Sequence, residues 1–255
     1  MADNVKSRPL RPMRTVLSDE TYLRIREMLL THDIAPGERI NIDALARELD
    51  VSQTPVREAL ARLESEDLVT KEPLRGYTAT ALLTVPEIQD LFQFRGLIEP
   101  WAAGMAARSI NEEGIARLQA ELAKGQSAEN LDIDEAYAAM SEHDARFHAL
   151  IAELSGSEFV HDAYVRTHCH LHLFRLYTVL KTWMELPRED AEVIGELFEL
   201  YYQPKSGFLA FKEHRAIADA VGSGDEASAS KLMLEHIENS LHRFAPTMSV
   251  MEKNQ

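Results

Sequence analysis

The chain has 255 residues, of which 45% are hydrophobic and 27% charged, a composition typical of a globular protein with one or two domains. The net charge of −15 argues against a protein that coats nucleic acid without sequence preference. The sequence has no run of about eighteen apolar residues and only one cysteine, so we expect no membrane span and a cytoplasmic location.

The charge is unevenly distributed along the chain. Residues 1–80 include 12 basic and 14 acidic residues, whereas residues 81–255 include 15 and 28. Local basic patches in the first part can therefore face phosphates, while the second part should be repelled by nucleic acid. This asymmetry predicts two domains with different tasks.

Residues 1–15 are predicted to form a flexible basic arm. Its positive charges, Lys6, Arg8, Arg11 and Arg14, are spaced around two prolines. Such a segment can be a solvated tail, or it can reach the phosphate backbone of DNA. The sequence leaves both interpretations open.

Three helices are predicted in the first 65 residues after this arm. The first has apolar residues at helical spacing over residues 17–32 and ends before Pro36-Gly37. The other two are short, and each follows a residue that can cap a helix. The candidate caps are Asn41 or Asp43 for the second helix and Ser52 or Thr54 for the third.

Two extended runs follow the third helix, at residues 68–70 and 77–79. They flank a turn-forming stretch at residues 72–76. Three helices followed by a two-stranded wing predict a winged helix-turn-helix over residues 16–80.

The start of the third predicted helix holds the candidate DNA contacts, because a helix-turn-helix places the first turns of its second helix in the major groove. Arg57 lies three residues after Thr54 on roughly the same face and can bond guanine or phosphate. For any one of these residues the alternative is a solvated helix face, which we favour for Arg62. The candidates are Ser52, Gln53, Thr54 and Arg57 in the helix and Arg75 and Gly76 at the wing tip.

The run PGERI…LARELDVSQTPVREALARLESEDLV…RGY resembles the DNA-binding signature of the GntR family of bacterial regulators, over roughly residues 17–80. The resemblance implies binding to double-stranded DNA. Two positions depart from the family pattern. Gln53 stands where many relatives have arginine, and Asp50 occupies a turn position that is often glycine.

From about residue 86 onward, strand signals nearly vanish and six or seven helices are predicted. We expect an all-α bundle over residues 87–245, a linker at 81–86 and a C-terminal tail at 246–255. The predicted helices lie near 86–108, 111–127, 132–155, 157–185, 188–202, 206–221 and 225–243.

Four residues of this bundle can surround one divalent cation. Asp144 and His148 are four residues apart, so they share a helix face. His214 and His236 flank a Gly-Ser-Gly-Asp loop, and their helices should pack antiparallel with the two imidazoles at similar heights. Imidazole and carboxylate groups suit zinc, nickel, iron or manganese. The alternative is that the histidines are partly buried core residues.

The second domain resembles the FCD ligand-binding domain of the FadR-like branch of the GntR family, over about residues 87–243. Asp144, His148, His214 and His236 match the ligand positions of that domain one by one. The resemblance therefore implies a bound divalent metal ion, with zinc as the leading candidate. Residues 185–206 depart from the family pattern as an insertion or an elongated helix.

The resemblance also implies a small organic acid as effector. Arg95 matches the Arg-x-x-x-Glu opening of the domain and can pair with a carboxylate, although an ion pair with Glu99 is an equal alternative. Arg175 is a weaker candidate for effector binding. Three further histidines, His168, His170 and His172, fall in the helix predicted at 157–185. His168 and His172 share one face of that helix, and His170 lies on another. We expect one of the three at most to line the pocket.

These features predict a homodimeric transcriptional regulator, with repression favoured, that binds a near-palindromic operator. We expect effector binding in the helical domain to control DNA affinity. No catalytic residue is assigned. The alternatives are a metal-dependent enzyme, a direct metal sensor using the same His/Asp site, and a metal-free regulator that binds an acyl ligand.

Overall fold

A computed structural model describes residues 13–128, 131, 133–182 and 209–253. The helix predicted at 188–202, the whole insertion at 185–206 and residues 1–12 of the predicted arm lie outside the described residues. The chain divides into two compact units, residues 1–82 and 83–255.

The first unit is built on helix α1 (Met13–Thr31), which packs against α3 (Gln53–Ser65), with α2 (Ile42–Glu48) before it. Asn41 caps α2, because its Oδ1 accepts hydrogen bonds from the backbone nitrogens of the second and third residues that follow it. The buried face of α3 is the predicted one, Val56, Leu60 and Leu63. Helix α1 begins at Met13, within the last three residues of the segment predicted to be a flexible arm.

A three-stranded antiparallel sheet completes this unit. Strands β2 (Val69–Glu72) and β3 (Gly76–Ala79) form the predicted hairpin. The two-residue strand β1 (Arg39–Ile40) pairs with the outer edge of β3, giving the order β1-β3-β2. The prediction of only two strands was wrong because two residues are too short to show an alternating pattern. The unit is a winged helix-turn-helix.

Helices and short turns make up the described residues of the second unit. Its first helix is fixed by a capping box, in which the Thr84 hydroxyl accepts from the Glu87 backbone and the Glu87 carboxylate accepts from that of Thr84. The helices are α4 (Val85–Ser109), α5 (Glu112–Ser127), α6 (Ile133–Leu154), α7 (Glu158–Val165), α8 (Cys169–Thr182), α9 (Leu209–Gly222) and α10 (Glu226–Lys253).

Two predictions about these helices were wrong. The single helix expected over residues 157–185 is broken between α7 and α8, where His168 adopts a left-handed backbone with φ of 44° and the Thr167 hydroxyl accepts from the Cys169 backbone nitrogen. The predicted tail at 246–255 mostly belongs to α10, since that helix continues to Lys253 and buries Met248 and Val250. None of the described helices combines the length and apolar character needed to cross a membrane.

Candidate metal centre and DNA-reading surface

The turn between α2 and α3 presents the start of α3 to solvent. Asp50 adopts a left-handed backbone with φ of 53°, as expected for its turn position. Ser52 is the residue that precedes α3, and its hydroxyl makes no capping hydrogen bond. Gln53 and Thr54 follow in the first turn, and all three side chains are exposed. Polar groups at this point can reach a DNA groove.

Arg57 and Arg62 differ in how the fold uses them. Arg57 is exposed and makes a long hydrogen bond of 3.4 Å to Gln53 within α3. Arg62 makes a 2.6 Å ion pair with Asp19, and its guanidinium lies 3.9 Å from the ring centroid of Tyr22. Arg62 therefore links α3 to α1, whereas the sequence analysis favoured a solvated helix face for it.

The wing carries the other two candidate contacts. Arg75 is exposed at the hairpin turn and lies 3.3 Å from Glu72. Gly76 has a φ of 90°, a conformation that side chains rarely allow. The turn therefore holds a basic side chain beside open backbone, which suits approach to a phosphate.

Three helices of the second unit bring their histidines to one point. His148 of α6, His214 of α9 and His236 of α10 are buried, and one ring nitrogen of each lies within 4.8 Å of the others. The Nε2 atom of His236 is 3.2 Å from that of His148 and 3.3 Å from that of His214. Two nitrogens that each bind one ion at about 2.1 Å lie roughly 3.0–3.4 Å apart, so the spacing fits a shared ion.

Asp144 lies beside this histidine cluster, one turn before His148 on α6. Its Oδ1 atom is 3.5 Å from Nε2 of His214. This oxygen is buried and receives no hydrogen bond from any described residue. A buried, unsatisfied carboxylate oxygen aimed at imidazole nitrogens is suited to binding a cation.

Two histidines of the cluster each make a hydrogen bond to a carboxylate outside the cluster. This outer bond determines which ring nitrogen of each histidine is free. Nδ1 of His148 lies 2.5 Å from Glu99, and Nδ1 of His236 lies 2.7 Å from Glu213. A carboxylate only accepts, so each imidazole donates through Nδ1. When both rings are neutral, each Nε2 atom carries a lone pair instead of a proton. The two lone pairs then face each other, and neither nitrogen can donate to the other. A cation between them resolves this conflict.

Both outer carboxylates are held ionised by an arginine together with the histidine that each one contacts. Burial raises the pKa of Glu99, but the charge of Arg95 and the contact with His148 together outweigh burial and hold the pKa at about 2. Burial also raises the pKa of Glu213, yet hydrogen bonds from His236 and Arg243 hold it at about 2. The sequence analysis did not assign Glu213 or Arg243, although Glu213 directly precedes the predicted ligand His214.

Burial favours the neutral form of two of the cluster imidazoles, His236 and His214. It lowers the pKa of His236 to about 4 and that of His214 well below its usual range. Burial also raises the pKa of Asp144. Neutral imidazole is the form that binds metal, so the lowered pKa values of His236 and His214 leave both rings ready to bind a cation.

The third histidine, His214, has a different outer partner. Its Nδ1 lies 3.1 Å from Nε2 of His143, a residue of α6 that the sequence analysis did not assign. Nδ1 of His143 lies 3.1 Å from Glu121 of α5. No pattern in the sequence indicates this contact, because α5 carries no metal-ligand pattern of its own.

The predicted effector residues are both buried. Arg95 forms the ion pair with Glu99 that was weighed against effector binding, at 2.5 Å. Its Nη1 atom is nevertheless buried and receives no partner among the described residues. Arg175 is also fully buried, in α8.

The three histidines at residues 168, 170 and 172 do not lie on one continuous helix, although a single helix was predicted over residues 157–185. His170 and His172 are buried, whereas His168 is half-buried in the break before α8. Nδ1 of His170 lies 3.7 Å from Asp144, so His170 is the one of the three that the structure places beside the cluster. The sequence analysis expected one at most to line the pocket and did not say which.

Models of two protein families match the chain. The model for bacterial regulatory proteins of the gntR family matches residues 17–78, and the FCD domain model matches residues 90–239. These matches cover the two units that the structure separates.

Individual relatives agree with the family models. The chain is 26% identical over 228 residues to the HTH-type transcriptional regulator LutR of Bacillus subtilis, covering 83% of this chain and 94% of LutR. It is 25% identical over 228 residues to the HTH-type transcriptional repressor GlaR of Escherichia coli, covering 88% and 93%. The structure of E. coli McbR/YncC shares the fold, with a TM-score of 0.60 and 18% identity over 94% of this chain and 99% of that one.

Proposed function

Because the chain belongs to the GntR family and carries an FCD domain, it is a transcriptional regulator, and we propose that it is a repressor controlled by a small organic acid bound beside a divalent metal ion. Its relatives are regulators and not enzymes. The observation that carries the proposal is the convergence of three buried Nε2 atoms whose outer nitrogens are already engaged.

The residues that would hold the ion are Asp144, His148, His214 and His236, with zinc favoured over nickel, iron or manganese. An ion there would act as a Lewis acid that attracts an anionic ligand. Three imidazoles and one carboxylate leave positions open on an ion that accepts six ligands, and the carboxylate of an effector can occupy them.

Arg95 supports a carboxylate effector. Its Nε donates to Glu99, while its buried Nη1 keeps an unused donor. A guanidinium that has spare N–H groups in a dry site binds a carboxylate strongly. We therefore propose that Arg95 holds both Glu99 and the effector, so that the two interpretations of this residue are compatible. Arg175 is a second candidate.

We propose that a homodimer reads a near-palindromic operator in double-stranded DNA. In each subunit Ser52, Gln53, Thr54 and Arg57 would enter the major groove, and Arg75 and Gly76 would approach the backbone. The assignment as a repressor rests on the similarity to GlaR. The effector would change the DNA affinity by favouring one of two arrangements of the dimer.

A selection of genomic fragments with the purified full-length chain tests this proposal. We expect a short near-palindrome upstream of a few genes, and the reactions catalysed by their products then nominate the acid. Recovery of fragments without a shared sequence, with and without added zinc, would contradict it.

Replacing Arg57 with alanine should lower the affinity for the selected operator by about 10–100-fold, the effect expected when one base or phosphate contact is lost. The matched control is Arg62→Ala on the same helix, whose side chain is engaged by Asp19 and Tyr22. Fluorescence anisotropy at several salt concentrations measures both variants. Equal losses in the two variants would rule out a specific role for Arg57.

A further inference from the structure

His143 lies completely buried between α5, α6 and α9, directly before the proposed ligand Asp144. Its ring centroid is 5.1 Å from that of His214 and 5.5 Å from that of Phe211. A buried imidazole needs partners for both nitrogens. His143 has them, in Glu121 on one side and His214 on the other.

Glu121, His143 and His214 are joined by two hydrogen bonds in series. The direction of each bond follows from the carboxylate of Glu121. Glu121 accepts a hydrogen bond of 2.9 Å from Nε of Arg146 and lies 3.4 Å from Lys124, so it is paired with two cations. As a carboxylate it accepts from Nδ1 of His143, which leaves Nε2 of His143 as an acceptor. That acceptor takes the Nδ1–H of His214. Nε2 of His214 is then a lone pair directed at the other two histidines.

The ring of His143 can occupy its position only because residue 125 is a glycine and has no side chain. A Cβ at Gly125 would lie 2.8 Å from both Cγ and Nδ1 of His143 and 2.9 Å from Cδ2. Real Cβ atoms essentially never come so close to a ring, so the ring and α5 could not keep their present positions. Gly125 is buried in the last turn of α5, four residues after Glu121.

We propose that Glu121, His143 and Gly125 form a positioning relay for the metal site. The relay fixes the tautomer and ring orientation of His214 and couples α5 to the bound ion, although α5 supplies no ligand. Glu99 and Glu213 perform the same task for His148 and His236. This inference rests on the proposed metal site.

Two substitutions at position 143 separate hydrogen bonding from packing. His143→Leu fills the space but gives His214 no acceptor, whereas the amide of His143→Gln can accept from His214 and donate to Glu121. We expect the leucine variant to weaken zinc binding by about 10–100-fold, and the glutamine variant to stay within about threefold of the parent chain. Competition with a chelating dye measures the affinity in the full-length protein, and thermal unfolding with chelator present checks the fold.

The tautomer of His214 gives a readout that loss of packing alone would not change. In metal-free protein, ¹⁵N NMR of the imidazoles should show His214 protonated at Nδ1 in the parent chain and in His143→Gln. In folded His143→Leu the proton should be distributed between both nitrogens. An unchanged tautomer together with unchanged zinc affinity in the leucine variant would overturn the relay. If the parent protein shows this tautomer but takes up no zinc, nickel, manganese or iron, the proposed metal site is wrong. The hydrogen bonds through His143 would then lack their proposed role.

Gly125→Ala provides an independent variant that leaves every polar group in place. We expect it to reduce zinc affinity in the same direction as His143→Leu, because the added methyl group displaces the His143 ring. The control is Gly222→Ala at the end of α9, where the nearest atom to the new Cβ is 4.0 Å away. Equal zinc affinity in the two alanine variants would contradict the requirement for space at Gly125.

Discussion

The His236→Ala variant should lose its bound metal ion. His236 contributes the nitrogen that lies 3.2 and 3.3 Å from those of His148 and His214, so it is the member that links the other two. Loss of an outer partner alone costs about 10–100-fold in metal affinity, and loss of a direct ligand should cost more than about 100-fold. Metal content after dialysis, measured by mass spectrometry, should fall from one ion per chain to a trace.

The matched control for this variant is on the same helix. His242 is exposed six residues further along α10, and its Nδ1 lies 2.8 Å from the backbone oxygen of Glu238. His242→Ala should retain the full metal content. If both variants keep one ion per chain, the assignment of His236 as a ligand is wrong.

Replacing Glu99 with leucine should destabilise the helical domain by about 3–5 kcal/mol, the usual cost of removing one partner of a buried ion pair. Glu99 and Arg95 have side chains only 2% and 1% exposed, and Glu99 also accepts from His148. The substitution therefore leaves a buried guanidinium and a buried imidazole without their acceptor. Chelator should be present during urea unfolding, so that metal loss does not contribute to the difference.

An exposed pair with the same spacing is the control for Glu99. Glu235 lies 3.6 Å from Lys231 on α10, again four residues apart, and both side chains are largely exposed. Glu235→Leu should change the free energy of unfolding by less than about 1 kcal/mol. Tryptophan fluorescence reports on this domain, because both tryptophans, 101 and 183, lie after residue 82. Similar changes in the two variants would show that burial of the Glu99 pair has no special role.

The positions of His214 and His236 relative to each other could be predicted from the sequence, because a tight glycine-containing turn joins their helices. Antiparallel helices on either side of a turn bring residues at similar distances from it to the same height. Likewise, Asp144 and His148 share a face through their spacing alone. Such predictions depend on local geometry, which the sequence encodes directly.

The outer contacts of the site could not be predicted in this way. Glu99, Glu121 and Glu213 lie on three different helices, and each reaches its histidine only through the packing of the bundle. The role of Gly125 depends on a neighbour eighteen positions further along the chain. Long-range packing also decides that His170, and not His168, lies beside Asp144.

Operator affinity under four conditions tests most directly whether metal and organic acid act together on DNA binding. Fluorescence anisotropy would compare zinc-loaded and chelated protein, each with and without a panel of L-lactate, succinate and citrate. We expect at least one acid to change the affinity by about fivefold or more in the zinc-loaded protein, and to have no effect in the chelated protein or in His236→Ala. An equal response without metal would contradict the claim, and a response to zinc alone, with no acid effective, would identify a direct metal sensor instead.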